Sequence, residues 1–252
     1  MRKWIVGLLC LMFAIGAKSQ TADAQMSIAN SLYKQFKEAD ALIVYKAVLA
    51  SDKSNMEALV KCTELSSSLG NKQVDKAVQS NYYIASKEYA DKAFIADSNS
   101  ADAYYCLALA FSNLTNIETE NKKAVEDAKN IKLNADKGLA INQNYARLNY
   151  IAGKWHYEML DLNFVKKAAL KTIYNNGMPK PDIDSAIYYM EKCRMLEPYF
   201  VQNYLDLAKA YDMKKRPAQT IEVLQKLVKL PNRMADDAAI KAEGKKMLQK
   251  ME

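Results

Sequence analysis

The residues best suited to chemistry are a single histidine beside a tryptophan and three widely spaced cysteines of the four in the chain. His156 directly follows Trp155 and is the one histidine of the 252-residue chain. One histidine cannot form a histidine-rich zinc site, so we predict a packed or capping role for it. Cys62, Cys106 and Cys193 form no CxxC pair. Their positions predict burial in a core, where thiols are poor nucleophiles.

The carboxylates and short motifs do not point to catalysis either. Glu118 and Glu120 are close in sequence, but their surroundings are polar. A solvated turn is therefore expected there rather than a carboxyl group with a raised pKa. The chain contains no Gly-rich phosphate loop, no HExxH and no GxSxG motif. We therefore predict a protein that is not an enzyme and has no cofactor, metal ion or catalytic small-molecule substrate.

The charge of the chain is only mildly basic once its first residues are set apart. The whole chain carries a formal charge of +7. Arg2, Lys3 and Lys18 belong to an N-terminal segment that we predict is removed, which leaves about +4. Pairs of adjacent lysines are spread along the chain rather than clustered, as on solvated helix faces. Nucleic acid is therefore not predicted as a partner.

The first twenty residues have the layout of a secretory signal. A positive start at residues 2–3 precedes an uncharged, mostly apolar run over residues 4–17. Ala17 and Ser19 then provide the small residues of a cleavage site before Gln20. The apolar run is shorter than the ~20 residues that a membrane-spanning helix needs. We therefore expect a signal peptide over 1–19 and a mature domain over 20–252.

Other interpretations of this N-terminal segment stay open. Cleavage after Ala24 would also satisfy the small-residue rule, and an uncleaved segment would act as a short anchor. Cys10 follows two leucines rather than the small residue that precedes a lipidated cysteine, so lipidation is not expected. A glutamine after the cleavage site is typical of bacterial export. The expected location is therefore the periplasm or the cell envelope.

An internal repeat with an offset of 45 residues organises the rest of the chain. Residues 90–105 and 135–150 share six of sixteen positions, Asp91 and Asp136 among them. Each segment contains the end of one predicted helix, a short polar link and the start of another. Only 7 Gly and 5 Pro occur in the chain, which favours helices with few tight turns. An all-α repeat protein is therefore predicted.

Small residues recur where two antiparallel helices would have to cross closely. Ala108, Gly153 and Ala208 occupy one such position, and Ala41 and Ala186 occupy another. Large aromatic residues fill the space around them, at Tyr104, Phe111, Tyr204 and Tyr211. This pattern resembles the tetratricopeptide repeat family, in which helix pairs stack because one pair cannot bury its apolar face alone.

The resemblance implies an all-α, tetratricopeptide-like superhelix of about five helix pairs with a C-terminal capping helix. The first and last units have the standard length of 34 residues, and the others carry insertions. The largest insertion, about 159–181, is expected to contain a short helix followed by a loop. The predicted units are 22–55, 56–100, 101–145, 146–200 and 201–234, followed by a cap at 235–250.

The C-terminal half carries a more specific resemblance. A Gly-Lys-Trp block at 153–155 and a Leu-Pro pair at 230–231, followed by acidic residues at 236–237, are similar to the regulator-of-microtubule-dynamics (RMD) family. The likeness is strongest over 145–250 and weaker over 25–144. It implies a tetratricopeptide-like fold with an interaction role. The microtubule association of eukaryotic members is not transferred, because an exported bacterial chain would meet no microtubules.

The tetratricopeptide resemblance also implies where a ligand would bind. In that family the first helix of each pair lines a concave groove. At the corresponding positions this chain carries Tyr, Lys, Asn and Met, a mixture that suits a peptide or another extended ligand. The predicted groove residues are Asp102, Tyr105, Leu109, Asn113, Arg147, Tyr150, Lys154, Tyr157, Lys209 and Met213.

Two functions are compatible with these patterns. The first is an exported scaffold or adaptor that binds an unidentified protein or peptide partner through this groove. The alternative is a carrier or tether that holds a lipid or another small molecule inside the superhelix. The 16 Tyr and 12 Met of the chain, together with the membrane connections of the family, motivate the alternative.

Overall fold

In the computed structural model, residues 22–162 and 179–251 are described, and every regular element in these ranges is an α-helix. The predicted signal peptide over 1–19 and residues 163–178 of the predicted insertion lie outside the described residues. Eleven helices are present in the described part. They are α1 (22–34), α2 (Glu38–Ser51), α3 (Met56–Asn71), α4 (Lys76–Ala96), α5 (Ala101–Leu114), α6 (Asn121–Ile141), α7 (Ala146–Asp161), α8 (Ile183–Leu196), α9 (Val201–Met213), α10 (Pro217–Lys229) and α11 (Asp237–Gln249).

The chain forms two compact units, one that extends to Ala96 and one that begins at Asp97. The first unit contains α1 to α4, with α2 packed on α3 and α3 packed along α4. Its core is apolar and is centred on Tyr45, whose hydroxyl donates a hydrogen bond to Oδ1 of Asn30. Asn55 begins α3 because its side chain accepts a hydrogen bond from the backbone N–H of Ala58.

The second unit contains three consecutive antiparallel pairs and a final helix. The pairs are α5 with α6, α7 with α8, and α9 with α10, and α11 packs on the last pair. Side chains from α8, α9, α10 and α11 form its C-terminal core. Among the described helices of the chain, none is both long and apolar enough to cross a membrane.

The crossing of α7 and α8 shows why small residues recur in the repeat. A Cβ atom added to Gly153 would lie 2.9 Å from the carbonyl oxygen of Ala186 and 2.7 Å from Cγ of Met190. Ala108 and Ala208, at the equivalent position of α5 and α9, have no exposed surface. Because the backbones approach this closely, larger side chains at these positions would overpack the crossing.

Two short turns between paired helices use a left-handed backbone without glycine. Phe36 has φ 61° between α1 and α2, and Lys215 has φ 60° between α9 and α10. At each turn the next N–H reaches back five residues, from Lys37 to the carbonyl of Leu32 and from Arg216 to that of Tyr211. This is the Schellman arrangement, in which glycine is the usual residue because other side chains strain this backbone region.

Candidate functional site

The first helices of the three pairs in the second unit lie side by side, with α5 beside α7 and α7 beside α9. The ten predicted groove residues all belong to these helices. We call the surface that they define the α5–α7–α9 face. Its partly exposed members are Asp102, Leu109, Arg147, Lys154, Tyr157, Lys209 and Met213, whereas Tyr105, Asn113 and Tyr150 are buried.

The α5 edge of the face is joined to the start of α7 by a tyrosine. The hydroxyl of Tyr145 donates a 2.6 Å hydrogen bond to Oδ1 of Asp102. Its ring lies 5.4 Å from the ring of Tyr105, measured between centroids. Asp102 is therefore used within the protein, and the burial of Tyr105 leaves little of that side chain for a ligand in this conformation.

The start of α7 is held against the α8–α9 link by an arginine. Nε of Arg147 lies 2.7 Å from Oε2 of Glu197, and Nη2 lies 2.5 Å from Oε1. The guanidinium also stacks on Phe200, 3.6 Å from the ring centroid. Bidentate pairing and stacking together define one orientation of the planar guanidinium, which an ammonium group could not reproduce.

The centre of the face is a buried phenol–carboxylate pair between α7 and α9. The hydroxyl of Tyr150 donates to Oδ2 of Asp206 at 2.8 Å, and Nε2 of Gln202 donates to the same oxygen at 3.0 Å. Burial, followed by the negative charge of Asp206, raises the pKa of Tyr150 well above its ordinary value. The phenol therefore stays protonated and remains a hydrogen-bond donor at neutral pH. Phe200 packs edge-on against Tyr150, with ring centroids 4.8 Å apart.

The C-terminal half of α7 contributes two partly exposed residues to the face. Lys154 is partly exposed, with its ammonium nitrogen 3.5 Å from Glu158 and 6.0 Å from the centroid of the Tyr150 ring. Tyr157 is half-buried, and burial raises its pKa to about 12, with a further contribution from the charge of Asp161. A lysine and a neutral phenol therefore stand one helical turn apart beside the buried pair.

The rim of the face on α9 is partly covered by α11. The ammonium group of Lys209 lies 2.8 Å from Oε1 of Glu243. Met213, at the end of α9, and Leu109, on α5, remain partly exposed. The binding roles of the ten residues stay predictions.

Several residues that build this face were missed from the sequence. Glu197 and Phe200 belong to the α8–α9 link, and Tyr145 belongs to the α6–α7 link. The repeat positions that selected the groove residues lie within the helices and do not include these links. Asp206 lies within α9, one residue after a position that faces the groove in this fold. An acidic side chain at such a place on a helix is ordinarily solvated, so it was not selected. Nothing in the local sequence indicates that another helix would cover it.

The potentially reactive side chains are placed for packing. Cys62, Cys106 and Cys193 have no exposed surface, and burial raises the pKa of Cys62 and of Cys193 to about 12. Nδ1 of His156 accepts a 3.1 Å hydrogen bond from the backbone N–H of Asp182, which confirms a packed, capping histidine. Over residues 22–162 and 179–251, no group of His, Cys, Asp or Glu side chains is arranged to hold a metal ion.

Stacked antiparallel pairs with small residues at their crossings, and a polar and aromatic face along their first helices, define a tetratricopeptide-like helical repeat protein. The structure of a thermophilic tetratricopeptide protein from Thermus thermophilus has the same fold, with a TM-score of 0.66 and 14% identity over 90% of this chain and 99% of that one. The chain belongs to the family described as regulator of microtubule dynamics protein 1-3, whose family model matches residues 25–252.

A relative from an animal supports the same assignment. Regulator of microtubule dynamics protein 1 of Caenorhabditis elegans is 26% identical over 189 residues, which cover 75% of this chain and 80% of that protein. The family model extends through the N-terminal part, where the sequence resemblance was weaker. The predicted family resemblance and the predicted tetratricopeptide-like, all-α fold are both confirmed.

Proposed function

We propose that this chain is an exported interaction scaffold that binds a protein or peptide partner along the α5–α7–α9 face. The observation that carries the proposal is the hydrogen bond between Tyr150 and Asp206, which ties α7 to α9 beneath partly exposed Lys154 and Tyr157. A ligand that lies across these helices would meet side chains on an already ordered support. Such preorganisation lowers the entropy cost of binding.

The chemistry of the exposed part suits a peptide rather than a reacting substrate. Lys154 offers a cation, Tyr157 a neutral phenol, and Leu109 and Met213 offer apolar contacts. Tyrosine and methionine are enriched at protein interfaces. A cation beside them adds charge complementarity to an acidic group of a ligand. Because Arg147 is held by both carboxylate oxygens of Glu197 and Asp206 is buried, they are expected to support the surface rather than to recognise the ligand directly.

Export is part of the proposal and is supported by residues 1–19, which combine a positive start, an apolar run and small residues before Gln20. Expression in a bacterial host followed by fractionation and N-terminal sequencing would test it. The expected result is periplasmic protein that begins at Gln20. Cytoplasmic protein that retains Met1 would overturn export without affecting the binding proposal.

The binding proposal can be tested with two matched double substitutions. Lys154→Ala/Tyr157→Ala removes the partly exposed pair on α7, and Lys192→Ala/Tyr188→Ala removes the same residue types from α8, where Tyr188 is exposed. Affinity purification with quantitative mass spectrometry should show partners lost from the α7 variant and retained by the α8 variant. Equal recovery from both variants and from the unsubstituted protein would overturn the assignment of the face.

A cavity in the second unit favours carriage of a lipid or another small apolar molecule as a second candidate function. It has a volume of about 470 Å³, within the range of small-molecule sites, and lies between α6 and α7. Val125, Ile131, Met159 and Leu162 supply apolar walls. Trp155 also lines it, with its indole N–H satisfied by the carbonyl of Ala128 at 2.7 Å.

The carrier function predicts a ligand that travels with the protein. Native mass spectrometry of protein purified from its own host should then show a bound molecule, and Ala124→Trp should expel it by filling the cavity. Ala140→Trp on the same helix, at an exposed position, is the control. Repeated spectra of ligand-free protein would exclude this candidate while leaving the scaffold proposal unaffected.

A further inference from the structure

A second candidate binding surface lies in the first unit, where α2 and the link after it face α4. These elements border an open cavity of about 840 Å³, with Leu59 of α3 among its lining residues. We call this surface the basic groove. Its other principal residues are Lys46, Leu49, Lys53, Tyr89, Lys92 and Ile95.

The residues of the basic groove stand on two facing walls. Lys46 and Leu49 are three residues apart on α2, which places them on one side of that helix, and Lys53 lies in the link two residues beyond its end. Tyr89 and Lys92 occupy the facing side of α4, also at an interval of three. The groove therefore has apolar walls and cations at both margins.

The lysines of the basic groove differ from other lysines of this unit in their ionic contacts. Lys61, Lys72 and Lys87 lie within 2.8 Å of a glutamate or aspartate oxygen. Within residues 22–96, no ion pair involves Lys46, Lys53 or Lys92. Lys92 instead places its ammonium group 5.1 Å from the centroid of the Tyr89 ring.

An exposed isoleucine at the margin of the groove gives it an apolar contact surface. Ile95 is 82% exposed, although it lies among the groove residues on α4. Tyr89, on the same helix, is partly buried, and burial raises its pKa to about 12, so its phenol is neutral. Exposed apolar surface that is bordered by polar residues, here the three lysines of the groove, is typical of interaction sites.

We propose that the basic groove binds an acidic amphipathic helix of a partner protein. The apolar face of such a helix would contact Leu49 and Ile95, as in helix-in-groove recognition. Carboxylates at its margins would pair with Lys46 and Lys53 on one side and with Lys92 on the other. Charge complementarity selects this occupant, since three cations surround one apolar depression. This site is independent of the α5–α7–α9 face and does not rest on the function proposed for it.

The probe for this proposal is a fluorescein-labelled synthetic peptide of roughly 18 residues, with Leu along one helical face and Glu on both flanks of that face. Binding to the full chain is followed by anisotropy, and a counterpart peptide carries Lys in place of every Glu. The acidic peptide should bind and the basic peptide should not. Binding of the acidic peptide should weaken as salt increases, because exposed charges contribute to it.

Matched substitutions locate the binding. Lys53→Glu should weaken binding of the acidic peptide about tenfold, whereas Lys34→Glu, the same charge change at an exposed position on α1, should leave it unchanged. Ile95→Gln should weaken binding by several-fold, whereas Val74→Gln, at a position that is 95% exposed, should have no effect. Ile95 and Lys53 are exposed, so neither substitution should unfold the protein.

Three results would overturn the proposal. One is equal binding of the acidic and basic peptides, and another is equal loss of binding in the groove variants and their controls. The third is binding of vesicles of phosphatidylglycerol and phosphatidylcholine in the absence of peptide binding, because the groove would then recognise an anionic membrane surface.

Discussion

The phenol of Tyr150 and the carboxylate of Asp206 meet between α7 and α9 although they are 56 residues apart in the chain. Asp206 is 7% exposed, and its Oδ2 accepts hydrogen bonds from both Tyr150 and Gln202. A buried carboxylate needs such donors, because burial without them would cost several kcal/mol. The pair therefore links two neighbouring repeat units through a hydrogen bond and places a buried polar group beneath the face.

Tyr150→Phe should destabilise the protein by about 1–3 kcal/mol, because it leaves the buried carboxylate of Asp206 with one donor fewer. Denaturant unfolding would measure the change. Tyr188→Phe, at a 62% exposed tyrosine, should change stability by no more than about 0.5 kcal/mol. Equal effects of the two substitutions would show that the hydrogen bond contributes nothing specific.

Gly153→Val should reduce the free energy of unfolding by about 1–3 kcal/mol, because the added atoms would collide with the backbone oxygen of Ala186. Backbone atoms cannot move aside as a flexible side chain can. Valine has a higher helix propensity than glycine, so helix propensity alone would stabilise this variant. Ala140→Val, at an exposed position on α6, is the control for a valine side chain that meets no neighbouring helix. Thermal unfolding of both variants is the measurement, and an unchanged midpoint for Gly153→Val would contradict the close crossing.

Stability should fall as the pH decreases from about 7 to 5.5 because of His156. Burial, followed by the positive charge of Lys132, lowers the pKa of His156 below its ordinary value of 6.5. The folded state therefore favours the neutral ring, and the unfolded chain takes up the proton first as the pH falls. Protonation would also remove the acceptor for the N–H of Asp182.

Denaturant midpoints at pH 7.5 and 5.5 would measure this effect, with His156→Gln as the comparison. The difference between the two midpoints should be smaller for the variant than for the unsubstituted protein, because glutamine does not titrate in this pH range. Since His156 is the one histidine in the chain, its ring resonances can also be assigned directly in an NMR titration. A midpoint pH at or above 6.5 for the folded protein would contradict the prediction.

The thiols of Cys62 and Cys193 should not react with a thiol reagent in the native protein. Burial raises the pKa of both to about 12, so the thiolate is scarcely populated at neutral pH. Cys106 has no exposed surface and should be equally protected. Labelling followed by peptide mass mapping should show modification at these sites only after denaturant is added, and rapid native labelling would indicate local opening.

Packing positions could be predicted from the sequence, whereas polar contacts between repeat units could not. Helical spacing of small residues placed Gly153 and Ala186 at two crossing positions of the repeat, and the structure shows that these two positions meet. Spacing also predicted buried cysteines, since the apolar face of a helix follows from its period. The left-handed turns at Phe36 and Lys215 could not be predicted, because neither contains the glycine that ordinarily identifies such a turn.

The amino-acid sequence alone was sufficient for the helical class and the repeat, because the period of apolar residues and the spacing of small ones can be read along the chain. The family resemblance came from short residue blocks such as Gly-Lys-Trp at 153–155. The tertiary structure decided which polar groups meet. Arg147 reaches Glu197 across 50 residues, and Tyr145 reaches Asp102 across 43. The physical reason is that the stacking of one pair on the next sets these contacts. That stacking buries Tyr105 and Tyr150 and leaves Lys154 and Tyr157 partly exposed on the same surface.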